Sequence, residues 1–225
     1  MKKIIKSLVR DIYYKYYAQN LLYELQIRAR NESVDYIQEK MKSALIFDSQ
    51  KGLMAHALEN CKRGGHYLEF GVATGRTVNM ISSLLKEDAT VFGFDTFEGL
   101  PENWFGHSAV VGDFKQKRLP KVAKNVELIK GLFSETLPEF SKSIHNGVSF
   151  CHIDSDLYSS AKTVLDTIGT HLVSGSYVLF DEYFNYPAWK SHEWKAWKEF
   201  CAENHVKYSY EGYTATGGCV LVRIE

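Results

Sequence analysis

The sequence has few cysteines, and their spacing is not that of zinc sites or of redox motifs. Its four cysteines, Cys61, Cys151, Cys201 and Cys219, are scattered without any Cys-x-x-Cys pair. Cys151 lies inside an apolar run that predicts a strand, where a free thiol behaves as a small hydrophobic side chain. We therefore expect four reduced cysteines and predict a cytoplasmic protein.

The sequence also lacks net charge, internal repeats and low-complexity segments. Lys and Arg number 27, Asp and Glu also number 27, and the isoelectric point is about 7.1. No overall field favours a polyanion, so nucleic acid is not predicted as a partner. A chain of 225 residues that is 45% hydrophobic is long enough for one well-filled core.

The first residues contain no uninterrupted apolar run. Lys6 breaks the run and no small-residue cleavage site follows, so we expect neither a signal peptide nor a membrane span. Residues 1–32 instead alternate basic, aromatic and aliphatic side chains at helical spacing. Such a basic amphipathic helix is compatible with a membrane surface. We favour a helix that covers the domain or contacts a dimer partner, because tyrosine-rich faces also suit protein contacts.

Strand-like and helix-like segments alternate through most of the remaining chain. Strands are predicted at 66–70, 90–94, 126–130, 148–153 and 177–180, and helices at 49–61, 77–86, 135–143 and 159–170, followed by a tryptophan-rich helix. Residues 96–121 are rich in glycine and aromatic residues, which predicts a loop or lid. Strand-like residues 205–213 and 219–224 are so close in sequence that they must form an antiparallel hairpin. A pure dinucleotide-binding fold would not end this way.

The strand at 66–70 runs into a glycine turn and then a helix. Gly71 permits a sharp turn, and Gly75 leaves room for a ligand and for a helix that starts close to the sheet. Asp95 ends the next strand about 20 residues later, where an acidic side chain accepts hydrogen bonds from a ribose. The alternative role of Asp95 is to cap the following loop. Together these residues predict a cofactor that carries a ribose.

Four acidic residues follow the two later parallel strands, at the edge where open α/β sheets bind ligands. They are Asp154, Asp156, Asp181 and Glu182. Oxygen clusters of this kind suit Mg²⁺ or a similar divalent cation. Alternatively, Asp156 caps the helix near Ser159 and Glu182 faces solvent. Among the histidines, His107 in the predicted lid is a candidate general base, whereas a histidine within a strand, such as His152, is usually structural.

Two further patterns indicate other enzymes. Tyr158 and Lys162 match the Tyr-x-x-x-Lys pair of short-chain dehydrogenases, but the glycine turn lies far from the start of the chain. Asp154-Ser155-Asp156 resembles the Asp-x-Asp motif of metal-dependent glycosyltransferases, but the glycine turn and the terminal hairpin fit that fold poorly.

Five segments in order resemble the class I S-adenosylmethionine-dependent methyltransferases, and within them the macrocin O-methyltransferase (TylF/MycF-like) group. They are LEFGVATG at 68–75, GFDTFEGLP at 93–101, VELIKGLFSETLP at 126–138, IDSDLY at 153–158 and FDEY at 180–183. The resemblance implies a Rossmann-like three-layer α/β sandwich with a seven-stranded, mostly parallel sheet whose last strand is antiparallel. The resemblance covers a methyltransferase core, residues 63–225. Residues 1–62 are predicted as an N-terminal helical region, where such enzymes differ in acceptor and oligomer contacts.

The resemblance assigns site residues as well. It implies that Glu69, Gly71 and Gly75 surround the methionine part of S-adenosylmethionine, that Asp95 holds the ribose and that Phe133 and Ser134 flank the adenine. Ala73, Thr77, Thr96 and Asp154 are the other expected cofactor contacts. Asp154, Asp181 and Glu182 are the expected Mg²⁺ ligands, although the family has a second aspartate where this chain has Glu182.

The implied activity is Mg²⁺-assisted O-methylation of a sugar or another hydroxyl acceptor, with Asp154 and His107 as candidate catalytic residues and a homo-oligomer as the expected assembly. The alternatives are a nicotinamide-dependent reductase that uses Tyr158 and Lys162, and a non-catalytic S-adenosylmethionine-binding protein. Aromatic residues of the lid and of the segment after 180 offer walls for a sugar ring or, alternatively, pack in the core. They are Trp104, Phe105, Tyr183, Phe184, Tyr186 and Trp189, beside His107.

Overall fold

A computed structural model describes residues 2–85 and 89–225. The strands are β1 (Leu45–Phe47), β2 (His66–Phe70), β3 (Val91–Asp95), β4 (Val126–Lys130), β5 (Val148–Ile153), β6 (Leu172–Phe180), β7 (Tyr208–Thr214) and β8 (Val220–Ile224). The α-helices are α1 (Lys2–Tyr13), α2 (Leu21–Lys40), α3 (Gln50–Asn60), α4 (Arg76–Leu84), α5 (Phe133–Ser141), α6 (Tyr158–Ile168) and α7 (Glu193–Asn204). A π-helix (Tyr14–Ala18) and two 3₁₀ helices (Gly169–His171 and Trp189–Ser191) complete the elements of this part of the chain.

The eight strands form one mixed sheet in the order β1-β7-β8-β6-β5-β2-β3-β4. Only β8 runs against its neighbours β6 and β7, whereas the other pairings are parallel. This confirms the predicted Rossmann-like fold with an antiparallel last strand. The sheet has eight strands rather than the predicted seven, because β1 pairs with β7 at the edge. The β1 strand spans three residues and exposes Leu45 and Ile46, so it carries too little pattern to be recognised in the sequence.

Helices cover both faces of the sheet. All six residues of β5 are buried, as expected of a strand that is covered on both sides. In β2, Leu68 and Phe70 pack with α5, α6 and α7, whereas Tyr67 packs with α3 and α4 on the other face. The alternation follows from the two-residue period of a strand and produces the predicted three layers.

The predicted elements are observed with shifted ends. β6 begins at Leu172, five residues before the predicted strand, and the hairpin strands begin at Tyr208 and Val220. Helix α4 ends at Leu84, and the predicted end at Lys86 lies outside the described residues. Residues 96–121 contain no helix or strand, as predicted for the lid, but several backbone hydrogen bonds fold the segment into an ordered loop, including Leu100 to Asp113 and Trp104 to Ala109.

The N-terminal helices join the core only from the middle of α2 onwards. Gln26 donates a side-chain hydrogen bond to the Asn185 carbonyl at 2.6 Å, and Ala29 and Ser33 are buried. Before Gln26, the apolar side chains of α1 and the π-helix are mostly exposed. Among the described helices, none is long and apolar enough to span a membrane.

Candidate active site

The register of the parallel strands brings the glycine turn and the acids together. The backbone N–H of Asp154 donates to Phe70 at 2.9 Å, and that of Asp181 donates to Ile153 at 3.0 Å. The ladder therefore continues for one residue beyond the ends of β2, β5 and β6. Gly71, Asp154 and Asp181 consequently lie side by side at the carboxyl edge of the sheet, as the strand pattern predicted.

Gly71 cannot be replaced without moving this edge. Its φ is +97°, and a Cβ there would lie 1.7 Å from the carbonyl oxygen of Asp154. Gly75 also has a positive φ, and a Cβ there would lie 2.9 Å from Pro120 at the end of the lid. The lid therefore fills the space beside Gly75. At Gly71, the absence of a Cβ allows the turn that carries Asp154 to lie against the glycine turn.

A cleft of about 590 Å³ opens at this edge. Its walls come from the glycine turn, the end of β3, the lid, the start of α5 and the turn after β5. Three of the predicted cofactor residues, Glu69, Gly75 and Thr77, do not line the cleft. The other seven line it: Gly71, Ala73, Asp95, Thr96, Phe133, Ser134 and Asp154.

Asp95 holds the glycine turn in place. Its Oδ2 accepts hydrogen bonds from the backbone N–H groups of Val72 at 2.9 Å and Ala73 at 2.8 Å. Its Oδ1 accepts from the N–H of Phe97 at 2.6 Å, so Asp95 also caps the loop that follows β3. Ala73 has φ 43°, a left-handed conformation that is unfavourable for a residue with a Cβ. Asp95 therefore stabilises a strained turn. Its Oδ1 accepts one hydrogen bond among the described residues and has a second lone pair with which it can accept another.

Glu69 lies behind the cleft rather than in its wall. The side chain is fully buried, and its Oε1 lies 2.9 Å from Nδ1 of His152. Burial raises the pKa of Glu69. Burial also opposes protonation of His152, but Asp181 and Glu69 outweigh it and raise the pKa of the imidazole well above its usual value. His152 therefore connects Glu69 to the acid cluster, because its other ring nitrogen, Nε2, lies 3.8 Å from Oδ1 of Asp181.

The four predicted acids form one cluster, and three of them, Asp154, Asp156 and Glu182, line the cleft. Ligand atoms of Asp154, Asp156 and Glu182 lie within 4.8 Å of one another, and so do those of His152, Asp154 and Asp181. Burial, followed by repulsion from Asp181, raises the pKa of Asp154 and of Glu182 well above the usual range, and that of Asp156 to about 7. Asp181 alone has a lowered pKa, because His152 outweighs the effect of burial.

These residues fit a divalent cation. Oε2 of Glu182 is buried and has no hydrogen-bond partner among the described residues. An unpaired buried carboxylate oxygen is costly, and several carboxylates this close repel one another unless a cation or protons lie between them. The oxygen donors of Asp154, Asp156 and Glu182 are of the type that Mg²⁺ prefers.

The alternative roles for two of these acids do not match the geometry. Helix α6 begins at Tyr158 with Leu157 as its N-cap, and no side chain caps it. Asp156 instead adopts φ 63° and lines the cleft. Glu182 is partly buried rather than directed into solvent.

Asp181 is held by groups that the sequence did not single out. Its Oδ1 accepts a hydrogen bond from the side-chain amide of Gln50, the first residue of α3, and another from the thiol of Cys219 at 3.1 Å. No local sequence signal connects Gln50 with an acid 131 residues away. Only the packing of α3 against the end of β6 brings them together.

Glu193 is the most important site residue that the sequence analysis missed. It opens the tryptophan-rich helix α7 and is fully buried. One carboxylate oxygen accepts from the N–H of Ser155 at 3.1 Å and the other from the N–H of Glu182 at 3.2 Å. Burial raises its pKa to about 8. An acid in the first turn of a helix is common, so its position alone did not distinguish it.

A second cavity of about 320 Å³ adjoins the cleft. Trp104, His107 and Glu182 line both spaces. Phe184 and Tyr186 add aromatic walls to the second cavity. Of the remaining aromatic candidates, Phe105 is exposed, Tyr183 and Trp189 are core residues, and none of the three lines either cavity.

His107 is placed between the cavities with a defined hydrogen-bond pattern. Its ring stacks on Trp104 with 4.2 Å between centroids, and its Nδ1 accepts from the N–H of Ala109 at 3.2 Å. In the neutral ring the proton is therefore on Nε2, which is a donor. This arrangement suits a hydrogen-bond donor to an acceptor molecule better than a general base.

The Tyr-x-x-x-Lys pair faces away from both cavities. The Tyr158 hydroxyl donates to Glu199 on α7 at 2.6 Å, and Lys162 forms ion pairs with Asp166 and Glu203. Neither side chain lines the cleft. The two residues join α6 to α7 and are not positioned for hydride-transfer chemistry.

Comparison with solved structures finds proteins of the same fold. Solved structures with the same fold include the calicheamicin methyltransferase CalS11 (21% identity, TM-score 0.61, 90% of this chain and 89% of that one) and the O-methyltransferase NovP (20%, 0.58, 77% and 78%). MycE, from the mycinamycin biosynthetic pathway and solved with Mg and SAH, is similar at 12% identity and TM-score 0.52, over 77% of this chain and 48% of that one.

No protein of curated function matches the chain in sequence. A family model does match: residues 68–183, which begin in β2 and end just after β6, fit the family described as "Methyltransferase domain". The match spans more than half of the chain and includes the glycine turn, the cleft and the four acids. The chain therefore belongs to the methyltransferase domain family.

Proposed function

We propose that this protein is an S-adenosylmethionine-dependent, Mg²⁺-assisted O-methyltransferase of the macrocin O-methyltransferase group, acting on a hydroxyl of a sugar or a related small-molecule or glycan acceptor. One observation carries the proposal: Glu182 lines both cavities. The acid cluster thus stands between a cleft of cofactor size and a second, aromatic cavity, which is where a metal would contact an acceptor next to a methyl donor.

The cleft is the proposed site of S-adenosylmethionine. Its volume is in the range of small-molecule sites. The glycine turn lets the ligand approach the backbone, Asp95 retains an acceptor for a ribose hydroxyl, and Phe133 with Ser134 provides a wall for the adenine. Glu69, Gly75 and Thr77 lie on or beside the glycine turn but do not line the cleft.

Asp154, Asp181 and Glu182 are the proposed ligands of the cation, and Asp156 is a fourth oxygen donor. The longer side chain of Glu182 is compatible with this role, because its oxygen comes within 4.8 Å of those of Asp154 and Asp156. When bound, Mg²⁺ supplies Lewis-acid chemistry that lowers the pKa of an acceptor hydroxyl. Asp181 is oriented by Gln50 and His152, and Glu193 fixes the backbone on which Glu182 stands.

The second cavity is the proposed acceptor site. Trp104, Phe184 and Tyr186 offer apolar faces for a sugar ring, and Nε2–H of His107 offers a donor to a hydroxyl. Transfer of a methyl group needs the acceptor oxygen in line with the donor sulfur–carbon bond, so the walls contribute by orienting the acceptor. CalS11, which shares the fold, is described as a TDP-rhamnose 3′-O-methyltransferase.

Methyl transfer to a panel of vicinal diols, including nucleotide sugars, tests the proposal. We expect turnover that requires Mg²⁺ and is abolished by a chelator. Asp154→Asn should remove this turnover and leave S-adenosylhomocysteine affinity within a few-fold, whereas Tyr158→Phe, a change outside both cavities, should retain turnover. Unchanged activity in Asp154→Asn would contradict the metal role.

Cofactor titrations separate the alternatives. Binding of S-adenosylmethionine without turnover on any acceptor would favour a non-catalytic binding protein. Binding of NADPH in place of S-adenosylmethionine would contradict the assignment of the cleft.

A further inference from the structure

The N-terminal arm, which we define as residues 2–25, carries most of the exposed large apolar side chains of the described chain. It comprises α1, the π-helix and the first turn of α2. Four residues further on, at Ala29, the helix is buried against the core. The exposed apolar side chains of the arm are Ile4, Ile5, Leu8, Val9, Ile12, Tyr13, Tyr14, Tyr16, Tyr17, Leu21, Leu22, Tyr23 and Leu25, each between 44% and 78% exposed.

The arm therefore does not cover its own domain, which was one of the two roles favoured from the sequence. Side chains on α1 divide into two faces. Ile5, Leu8, Val9 and Ile12 follow the i, i+3, i+4, i+7 spacing of one helical stripe, and Lys6 and Arg10 lie on the opposite side. A stripe of branched aliphatic residues beside basic residues is typical of helices that lie in a membrane interface.

We propose that the N-terminal arm docks the enzyme on an anionic membrane surface, with α1 lying in the plane of the interface. The arm contains five basic residues and two acidic residues, although the chain as a whole is neutral. Asp11 pairs with Arg10 at 3.2 Å, and Glu24 pairs with Arg28 at 3.1 Å. The arm thus combines an apolar face with an uncompensated positive charge, and an anionic bilayer complements both.

A second copy of the arm fits this surface less well. Two copies of α1 that met through their apolar faces would bring together two segments that each carry four basic residues and one acidic residue. The rest of the chain carries three more acidic than basic residues, but several exposed acids there already pair with lysines of the same chain. Examples are Glu32 with Lys190, Glu98 with Lys115 and Lys130, and Glu139 with Lys142.

The tyrosines that follow α1 support the same partner. Tyr14, Tyr16 and Tyr17 form the π-helix and are about half exposed. Tyrosine combines an apolar ring with a polar hydroxyl, which suits the boundary between lipid headgroups and acyl chains. At 12 residues, α1 is too short to cross a bilayer, so the arm lies on the surface rather than through it.

Co-sedimentation of the full chain with lipid vesicles tests the proposal. We expect binding to vesicles of phosphatidylglycerol and phosphatidylcholine, weaker binding at high salt, and little binding to phosphatidylcholine alone. The double variant Lys6→Gln/Arg10→Gln should bind roughly 30-fold more weakly, at about one kcal/mol for each charge. Leu8→Asp should abolish binding by placing a charge in the apolar face.

A matched control removes two exposed lysines of the body. Lys124→Gln/Lys207→Gln makes the same change of charge outside the arm and should bind vesicles like the wild type. S-adenosylhomocysteine affinity, measured on each variant, reports whether the core remains folded, since the arm does not contact the cleft. This control also keeps the outcome separate from that of the proposed activity.

Two results would overturn the proposal. One is that the wild-type chain does not bind anionic vesicles, or that either arm variant binds them as well as the wild type does. The other is a wild-type oligomer that Leu8→Asp converts to a monomer in light scattering, without any vesicle binding, which would assign the surface to a second copy of this chain.

Discussion

The carboxylate of Glu193 accepts a hydrogen bond from the backbone N–H of Glu182, with 3.2 Å between the two heavy atoms. Its other oxygen accepts from the N–H of Ser155. A single buried side chain of α7 therefore ties the turn after β5 to the turn after β6. Each turn carries two of the clustered acids, so Glu193 sets the distance between the two halves of the cluster.

Replacing Glu193 with glutamine should loosen this tie. Glutamine has one acceptor oxygen, so one of the two backbone N–H groups loses its partner at a cost of about 1–3 kcal/mol. We expect weaker Mg²⁺ binding, by roughly tenfold or more, as is usual when a group that orients metal ligands is removed. Calorimetry and urea unfolding measure the two effects. Glu203→Gln, on the exposed face of the same helix, is the control, and equal Mg²⁺ affinity in both variants would contradict the positioning role.

Gly71 and Gly64 provide a matched pair for the close approach of the two turns. Both have a positive φ, but a Cβ at Gly64 would meet nothing within 4 Å, whereas one at Gly71 would overlap the Asp154 carbonyl. Gly64→Ala should cost about 1 kcal/mol of unfolding free energy through backbone strain alone. Gly71→Ala should cost more than about 4 kcal/mol or prevent folding. Urea unfolding of both variants checks the difference, and similar losses would show that the contact at Gly71 is easily relieved.

Asp95→Asn tests the link between the glycine turn and the cofactor. The amide nitrogen that replaces one carboxylate oxygen cannot accept from the backbone N–H groups, so either Val72 and Ala73 together or Phe97 alone loses its partner. The left-handed Ala73 should then relax, and S-adenosylhomocysteine affinity should fall by roughly tenfold or more. Asp166→Asn, which changes an exposed aspartate of α6, serves as the control in calorimetry. Unchanged affinity in Asp95→Asn would limit Asp95 to a role in the loop.

The acid cluster predicts an unusual dependence of stability on pH when divalent cations are absent. The pKa of Asp156 is raised to about 7 and that of Glu193 to about 8, so between about pH 4 and pH 8 the folded chain binds more protons than the unfolded chain. Its free energy of unfolding should therefore fall as pH rises through this window, by up to about 1.4 kcal/mol per pH unit for each proton.

Asp154, Glu182 and Glu69, whose pKa values burial also raises, add to this slope, and two more groups modify it. The raised pKa of His152 acts in the same direction, because its contribution is present below its ordinary value and is lost as pH rises through the raised one. The lowered pKa of Asp181 acts at more acidic pH, where its contribution is lost as pH falls. Urea unfolding at several pH values, with a chelator and with Mg²⁺, measures the effect. We expect Mg²⁺ to flatten the slope, and a flat profile in the chelator would contradict the account.

Local pattern was enough to predict most of the fold. The alternation of apolar strands and amphipathic helices predicted an α/β sheet, and the short link between the last two strands predicted an antiparallel hairpin. The family resemblance then implied the Rossmann-like arrangement of these elements. β1 escaped prediction because three half-exposed residues carry no usable periodicity. The early start of β6 escaped it because Gly175, in the middle of the strand, reads as a break in the pattern.

The candidate site also contains some residues that the sequence predicted and others that it did not. Asp154 and Asp181 were predictable because each is the first residue after a buried parallel strand, and such residues meet at one edge of a sheet. Glu193 and Gln50 were not predictable, since their partners lie 38 and 131 residues away and no local signal marks them. The sequence resemblance placed Glu69 beside the cofactor, whereas in the structure Glu69 is a buried partner of His152.

By itself, the sequence determined the order of strands and helices, the glycine turn and the four acids at strand ends, because these depend on local periodicity and on residue type. Tertiary structure alone decided which side chains face the cleft, which nitrogen of His107 accepts a hydrogen bond, and that the N-terminal arm is left uncovered. The physical reason is that burial and hydrogen-bond partners arise from packing between distant segments, and a local pattern carries no information about the segment that will pack against it.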